Sequence, residues 1–421
     1  MKKIVITVLA GLLLLSIPIS AQENEKNEEP GVHRFFNFSL FYPVSLNQSP
    51  YDSVNVNLSL IYGRVGSVSG LDFSLAASAV HDNMKGIQIA GLAGVVGEEA
   101  QGIQVSGLVC VAGESFTGLQ SSGLITVAGE ELNGFQTAGL INVAGKTGRW
   151  FQASGLANVA GEDFEGGQFS GLFNIAGEHM KGIQASGLFS IAGETMEGLQ
   201  ASGLFNIVGE KFQGLQVSGL FNVAGGSLKG VQAGPVNIAA GSRGVQIGLV
   251  NIGETCDGLQ IGLVNYAEGE NRGFPLGAVN LAENGTINGV IWGSNRTAVS
   301  GGMKFYIGRW HSVVSLGIGS LEDNLAESVT WGVHYGTTFP AGKMAVQPEI
   351  GYRYRDNYGL FQSSAAEPDQ HLLEARFLLK VPISSEISIL LGGGIERACD
   401  SGPEDRNARS SLLFNAGLEL F

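Results

Sequence analysis

Gly198-Leu-Gln-Ala-Ser-Gly-Leu-Phe-Asn-Ile-Val-Gly-Glu210 is one copy of a unit that dominates the chain. Its glutamine recurs at Gln88, Gln104, Gln120, Gln136, Gln152, Gln168, Gln184, Gln200, Gln216 and Gln232, always 16 residues on, and then 14 residues on at Gln246 and Gln260. Around each glutamine the unit reads roughly G-[ILF]-Q-x-S-G-L-x-N-[VI]-A-G-E-x-x-x. A helix is excluded, because every copy carries several glycines and each mid-helix glycine costs about 1 kcal/mol. A membrane-spanning hairpin is excluded too, since a spanning strand needs about 9–11 residues and the unit leaves roughly 6 per strand. One turn of a β-solenoid fits: two short extended pieces that bend at glycines, where positive φ meets no Cβ. Shortening the period by two keeps the in/out alternation of a strand, whereas a change of one would invert it.

Degenerate copies such as Gly70-Leu-Asp-Phe-Ser-Leu75 and Gly273-Phe-Pro-Leu-Gly-Ala-Val-Asn280 extend the array. The expected solenoid covers residues 54–295, roughly 15 rungs about 4.8 Å apart, a rod on the order of 70 Å stabilised by nearest-neighbour contacts. The near-invariant Leu108, Leu124, Leu140, Leu156, Leu172, Leu188, Leu204 and Leu220, and the glycines from Gly113 to Gly225, are expected inside. Asn142, Asn158, Asn174, Asn206 and Asn222 are expected to stack as an amide ladder. Both alternating sets contain apolar residues, so the sequence leaves open which face points inward.

The unit resembles the repeat of leptospiral-type surface-repeat proteins, also common among Bacteroidetes, with the hallmark G-x-Q-x-[SAG]-G-[LF]-x-N-x-A. The resemblance spans residues 54–295. It implies a cell-surface or outer-membrane location, and it brings no activity with it.

After the array the pattern becomes simple alternation. Val329, Trp331, Val333, Tyr335 and Phe339 oppose Thr330, Gly332, His334, Gly336 and Thr338; Val346, Ile350, Tyr352 and Tyr354 oppose Gln347, Glu349, Arg353 and Arg355. An apolar outside around charges of both signs suits a small lipid-embedded barrel, with a soluble β-sandwich cap as the alternative. Seven strands are expected within residues 296–421, near 297–308, 310–320, 328–339, 343–355, 370–382, 385–397 and 410–421. Phe35–Tyr42, within the segment 22–53, is expected to be the eighth. On that assignment the strand near 297 follows the array directly, and the solenoid becomes a first extracellular loop. The terminal Phe421 resembles the C-terminal aromatic of membrane barrels, although Glu419, Gly417 and Asn415 occupy the positions stepping back from it.

Residues 1–21, with Lys2, Lys3 and an apolar run up to Ala21, read as a signal peptide cleaved near Ala21; an uncleaved anchor is the alternative. Losing the two lysines takes the formal charge from −14 to −16, which argues against nucleic acid as a partner. Cys110, Cys256 and Cys399 show neither disulfide nor zinc spacing and read as small apolar fillers.

No catalytic, cofactor-binding or metal-binding residue is assigned, and no cofactor. His33, His81, His179, His311, His334 and His371 lack metal-ligand spacing, and Gly392-Gly393-Gly394 falls inside an expected strand rather than before a helix. The acid row Glu98, Glu114, Glu130, Glu162, Glu178, Glu194 and Glu210, interrupted by Lys146, could hold cations but reads first as a solvated corner. Phe116, Leu132, Phe164, Met180, Met196, Phe212 and Leu228 read as an apolar packing ladder. The expected function is therefore a non-enzymatic outer-membrane or cell-surface protein of a Gram-negative bacterium that displays the solenoid for adhesion, ligand contact or shielding. Its expected partners are outer-membrane lipid and an extracellular protein or glycan. A pore or transport role for the barrel, or a carbohydrate-active solenoid, is the alternative.

Overall fold

The structure, a computed structural model, describes residues 31–47, 49–320, 328–356, 370–399 and 410–421. The expected signal peptide lies outside the described residues. The chain is all-β, a parallel β-solenoid combined with a closed eight-stranded antiparallel barrel, and it divides into two compact units, Met1–Gly225 and Gly226–Phe421.

In the first unit each 16-residue rung is a long strand and a short one, for example Ser115–Ser122 and Ile125–Ala128. Each strand pairs in parallel and in register with its counterpart one repeat away, Gln120 beside Gln136 and Ile125 beside Ile141. Phe116, Gln120, Ser122, Thr126 and Ala128 point inward. Phe116 and Gln120, four residues apart on one strand, share its inner face, and Gly118 between them sits at φ +128°, a conformation open to glycine.

The inside is filled by ladders. Phe116, Leu132, Phe164, Met180, Met196 and Phe212 are fully buried, as the packing-ladder reading expects. The glutamines are fully buried as well, and from Gln104 to Gln216 each donates to the one before it, as Gln120 Nε2 does to Gln104 Oε1 at 2.7 Å and Gln136 Nε2 to Gln120 Oε1 at 2.8 Å. The asparagines run the opposite way: Asn142 Nδ2 donates to Asn158 Oδ1 at 2.8 Å and Asn158 Nδ2 to Asn174 Oδ1 at 2.9 Å. The amide ladder expected for asparagine is present, and glutamine builds a second. In-register pairing makes this possible, because it puts an identical amide one rung away to satisfy each buried one.

The leucine row corrects the expectation. Leu108 to Leu220 stand at an outer corner, 36–50% exposed, because the corner residues turn their side chains out while their backbones bond along the stack, Leu124 N–H to Leu108 C=O. The glycine row does pack closely: a Cβ on Gly129 would lie 1.8 Å from the Gly113 carbonyl oxygen.

A second correction concerns Phe35–Tyr42. His33–Phe41 pairs in parallel with Ser53–Val65 of the solenoid. Asn37 Nδ2 donates to Asn57 Oδ1 at 2.8 Å, so its buried polar residues belong to the ladder and not to a barrel lumen. The antiparallel pair with Val44–Ser45 covers part of its free edge, as a solenoid end requires.

In the second unit the rungs continue at the 14-residue period to Leu259–Ala267 and then step 15 residues to the last one, Phe274–Leu281. The solenoid thus ends at Leu281 and not at 295. The eighth barrel strand is Gly285–Ser294, which pairs with both Thr297–Ile307 and Ser411–Leu420; Val329–Thr337 pairs with Met344–Asp356 and completes the closure. The other seven strands lie where alternation places them, so the β-sandwich alternative does not hold.

Moving the eighth strand changes the topology. The strand after the array is Gly285–Ser294, and its first residue pairs with Ile307, beside the turn at 308–309. The last rungs therefore meet the barrel end that carries the tight turns at 308–309, 342–343 and 383–386 and the C-terminus. The short turn at 295–296 lies at the opposite end, as do the strand ends Ser320, Val329, Asp356, Gln370, Ala398 and Ser411.

Candidate functional site

Two places in the described residues carry chemistry that the repeat does not require. The first is the barrel interior. Inward alternation buries Lys304, Arg353, Arg355 and Arg376 together with Glu349, Glu374, Glu396 and Glu419. Glu349 accepts from Lys304 Nζ at 2.9 Å, from Arg376 Nη2 at 2.7 Å and faces His311 Nε2 at 2.9 Å. Glu374 is bracketed by Arg353 Nη1 and His334 Nε2, both at 2.7 Å. Lys380 Nζ and Asn288 Nδ2 donate to Glu419 Oε1 at 2.8 and 2.6 Å. Opposite charges in direct contact offset part of the desolvation that burial imposes. Val290, Trp292, Val313 and Leu390 fill the space beside this network, and the cavity next to them has a volume of about 10 Å³, room for one water at most.

The outward barrel residues are apolar, with Leu316, Ile318, Ile350, Phe377, Leu412 and Phe414 all more than 60% exposed. Aromatic groups mark both ends. Trp310 and Tyr335 stack beside Phe274 of the last rung, and Trp331 packs on Tyr352 and Tyr354 near the other end. The last rung is fastened to its end of the barrel: Tyr335 O–H donates to the Pro275 carbonyl at 2.6 Å, and Asn280 Nδ2 ends the asparagine ladder on Ser312 Oγ at 3.0 Å.

The second place is in the first unit, where four departures from the repeat fall on two neighbouring rungs. Gly148 replaces the buried Phe/Leu/Met of its row, and Trp150 replaces the glycine. On the next rung Gly167 replaces the outer Leu/Ile/Phe, and Phe169 replaces a mostly small residue. Neighbouring phenylalanines take the space of both glycines. A Cβ on Gly148 would lie 2.5 Å from the Phe164 ring, and one on Gly167 would lie 2.7 Å from Phe169. Bulk has moved from the inside of the wall to its outer surface. Trp150 sits at φ +87°, the one non-glycine in the left-handed region among the described residues, a strain on the order of 1–3 kcal/mol. It packs on Phe135, Phe135 on Phe151, and Phe151 stacks on Phe169 at 5.2 Å. A groove of about 680 Å³, lined by Glu131, Asn133, Arg149, Asp163, Glu165 and Lys181 among others, lies along the preceding row of the wall; none of the four rings lines it, and it meets the cluster through Arg149, the residue before Trp150.

Comparison with protein-family models, curated proteins and solved structures finds no match to this chain.

The remaining sequence features resolve as follows. The acid row is an exposed or half-exposed corner in which Lys146 Nζ meets Glu130 Oε1 at 2.6 Å, so the solvated-corner reading holds. His311 and His334 are part of the barrel network; Cys110 and Cys256 are buried fillers, whereas Cys399 is exposed and fills nothing, and burial pushes the Cys110 thiol up to about 11. Asp163, Glu178 and His179 bring ligand atoms within 4.8 Å of one another. Their proximity was hidden in the sequence because Asp163 and His179 are one repeat apart, and repeat spacing becomes side-by-side contact only in a solenoid. Asp163 Oδ1 accepts from the His179 backbone N–H at 3.2 Å and His179 Nδ1 pairs with Thr195 Oγ1 at 2.8 Å, so much of the trio's bonding capacity is already in use.

Proposed function

We propose that this chain is a non-enzymatic outer-membrane protein in which the barrel is the anchor and the solenoid is the part that meets a ligand. One observation carries the reading: a closed eight-stranded barrel with isoleucine, leucine and phenylalanine outside and ion-paired Glu, Lys and Arg inside. Lipid accepts only a closed barrel or a helix, because every backbone group must be bonded internally. The aromatic residues near both ends match the girdles of such barrels. Residues 1–21 would supply export. The side chains filling the lumen argue against conduction, so a planar-bilayer trace should be flat.

Sidedness follows from the turns. Bacterial barrels keep short turns in the periplasm and long loops outside, and rungs 226–281 meet the short-turn end. The solenoid then belongs on the periplasmic side. The resemblance to surface-repeat proteins favours the opposite reading, surface display.

Protease treatment of intact cells and of cells with a permeabilised outer membrane separates the two. Repeats cut only after permeabilisation support the periplasmic assignment, whereas repeat peptides released from intact cells support display. Recovery of the whole chain in the soluble fraction without detergent would remove the anchor altogether.

A further inference from the structure

We propose that Trp150, with Phe135, Phe151 and Phe169, is a binding platform for a neutral polysaccharide strand. The platform is a local construction and not a general property of the wall, since the four departures that create it fall on two adjacent rungs, and Phe169 takes the space that Gly167 leaves. Trp150 is 63% exposed and holds a backbone conformation that its row otherwise gives to glycine. An exposed indole kept in a strained conformation buries little apolar surface in return, and strain held in this way points to a role.

The ligand class follows from what surrounds the rings. Pyranose rings carry flat C–H faces that stack on indole and phenyl planes, and their hydroxyls both donate and accept. The adjoining groove offers such partners: the Asn133 amide, the Arg149 guanidinium, the Lys181 ammonium and the carboxylates of Glu131, Asp163 and Glu165. Charges of both signs alternate along the wall, with Lys181 Nζ 3.6 Å from Glu165 Oε1, which suits a polar uncharged chain better than a polyanion. An apolar peptide would need an apolar groove.

The test is co-sedimentation of the detergent-solubilised full-length protein with insoluble cell-wall glycan, cellulose, xylan and mucin. Trp150→Gly and Phe169→Ala are compared with Ile183→Ala, a change in the outer apolar row of the next rung. At least one glycan should retain the wild type and the Ile183 variant equally, with at least a tenfold loss for Trp150→Gly. That variant restores the repeat's own glycine, so its unfolding midpoint should not fall. Retention by cellulose or xylan supports the platform, whereas retention by mucin or cell-wall glycan alone, both of which carry charge, would overturn the neutral-strand assignment. Failure of all four to retain the wild type, equal retention of Trp150→Gly, or binding only to the protein part of mucin would overturn it. The assay uses no cells, so its result is separate from the sidedness experiment.

Discussion

Single residues show where the ladders begin, break and reverse. Asp72 is the acceptor on which two ladders converge: Asn57 Nδ2 donates to its Oδ1 at 2.8 Å from one side and Gln88 Nε2 to its Oδ2 at 2.8 Å from the other, with Ser78 Oγ adding a third bond. An amide there would set a donor against one of these donors, and a carboxylate accepts from both. Burial nevertheless raises its pKa above the ordinary 3.8, outweighing the hydrogen bonds from Ser78, Gln88 and Asn57 that lower it. The folded state therefore binds a proton more tightly than the unfolded chain. Stability from this group is greatest below the unfolded pKa and declines as pH rises through the folded one. Denaturant titrations across that acidic window should show the decline in the wild type, and Asp72→Asn should lack this component. Ser190 interrupts the asparagine ladder. Its hydroxyl bonds Ser186 Oγ at 2.9 Å, and Asn206 Oδ1 is left buried without a partner. Ser190→Asn should restore the missing rung and raise stability by about 1 kcal/mol, read as a higher urea midpoint with an unchanged slope.

At the scale of the element, rung and barrel strand bury polar groups by different means. A rung satisfies its amides with identical neighbours, whereas a barrel strand must find the complementary charge on a strand remote in sequence, as Glu349 finds Lys304, His311 and Arg376. Removing one member of a buried ion network leaves the others uncompensated, at a cost of about 3–5 kcal/mol. Glu349→Leu should lower the unfolding free energy in detergent micelles by that amount, while Ile350→Thr, one residue along and facing out, should shift it far less. The solenoid's inner apolar row is equally exacting: Phe212→Ala should cost about 3–5 kcal/mol, measured by urea unfolding.

For the molecule as a whole, stability in the array is a sum over neighbouring rungs, so changes that respect the period should be tolerated. Deleting residues 179–194, one complete unit, should leave a folded protein with its β-type circular dichroism intact. Deleting Gln184 alone shifts every following side chain to the other face within that rung and should lower the unfolding midpoint sharply.

Much of this architecture was legible in the chain. The period of 16, the glycines at the corners, the stacked asparagines and seven of the barrel strands all follow from local pattern, because each repeats often enough to exclude other folds. The aromatic cluster had a visible signal in Trp150, the break in its glycine row, but its meaning depended on Phe135, Phe151 and Phe169 converging across rungs. The expectation of inward leucines failed because burying apolar side chains is only one way to fill a wall. Here glutamine takes the inside, since parallel in-register pairing gives each amide a partner that the sequence lists sixteen residues away.

The sequence by itself determined that the chain is all-β, where it coils, and that its last part alternates like a barrel. Only the tertiary structure decided which face of a rung is inside, that Gly285–Ser294 and not Phe35–Tyr42 closes the barrel, and which barrel end the last rungs meet. A period of two looks the same from either side of a strand, so the choice of face and of partner rests on contacts between residues far apart in the chain.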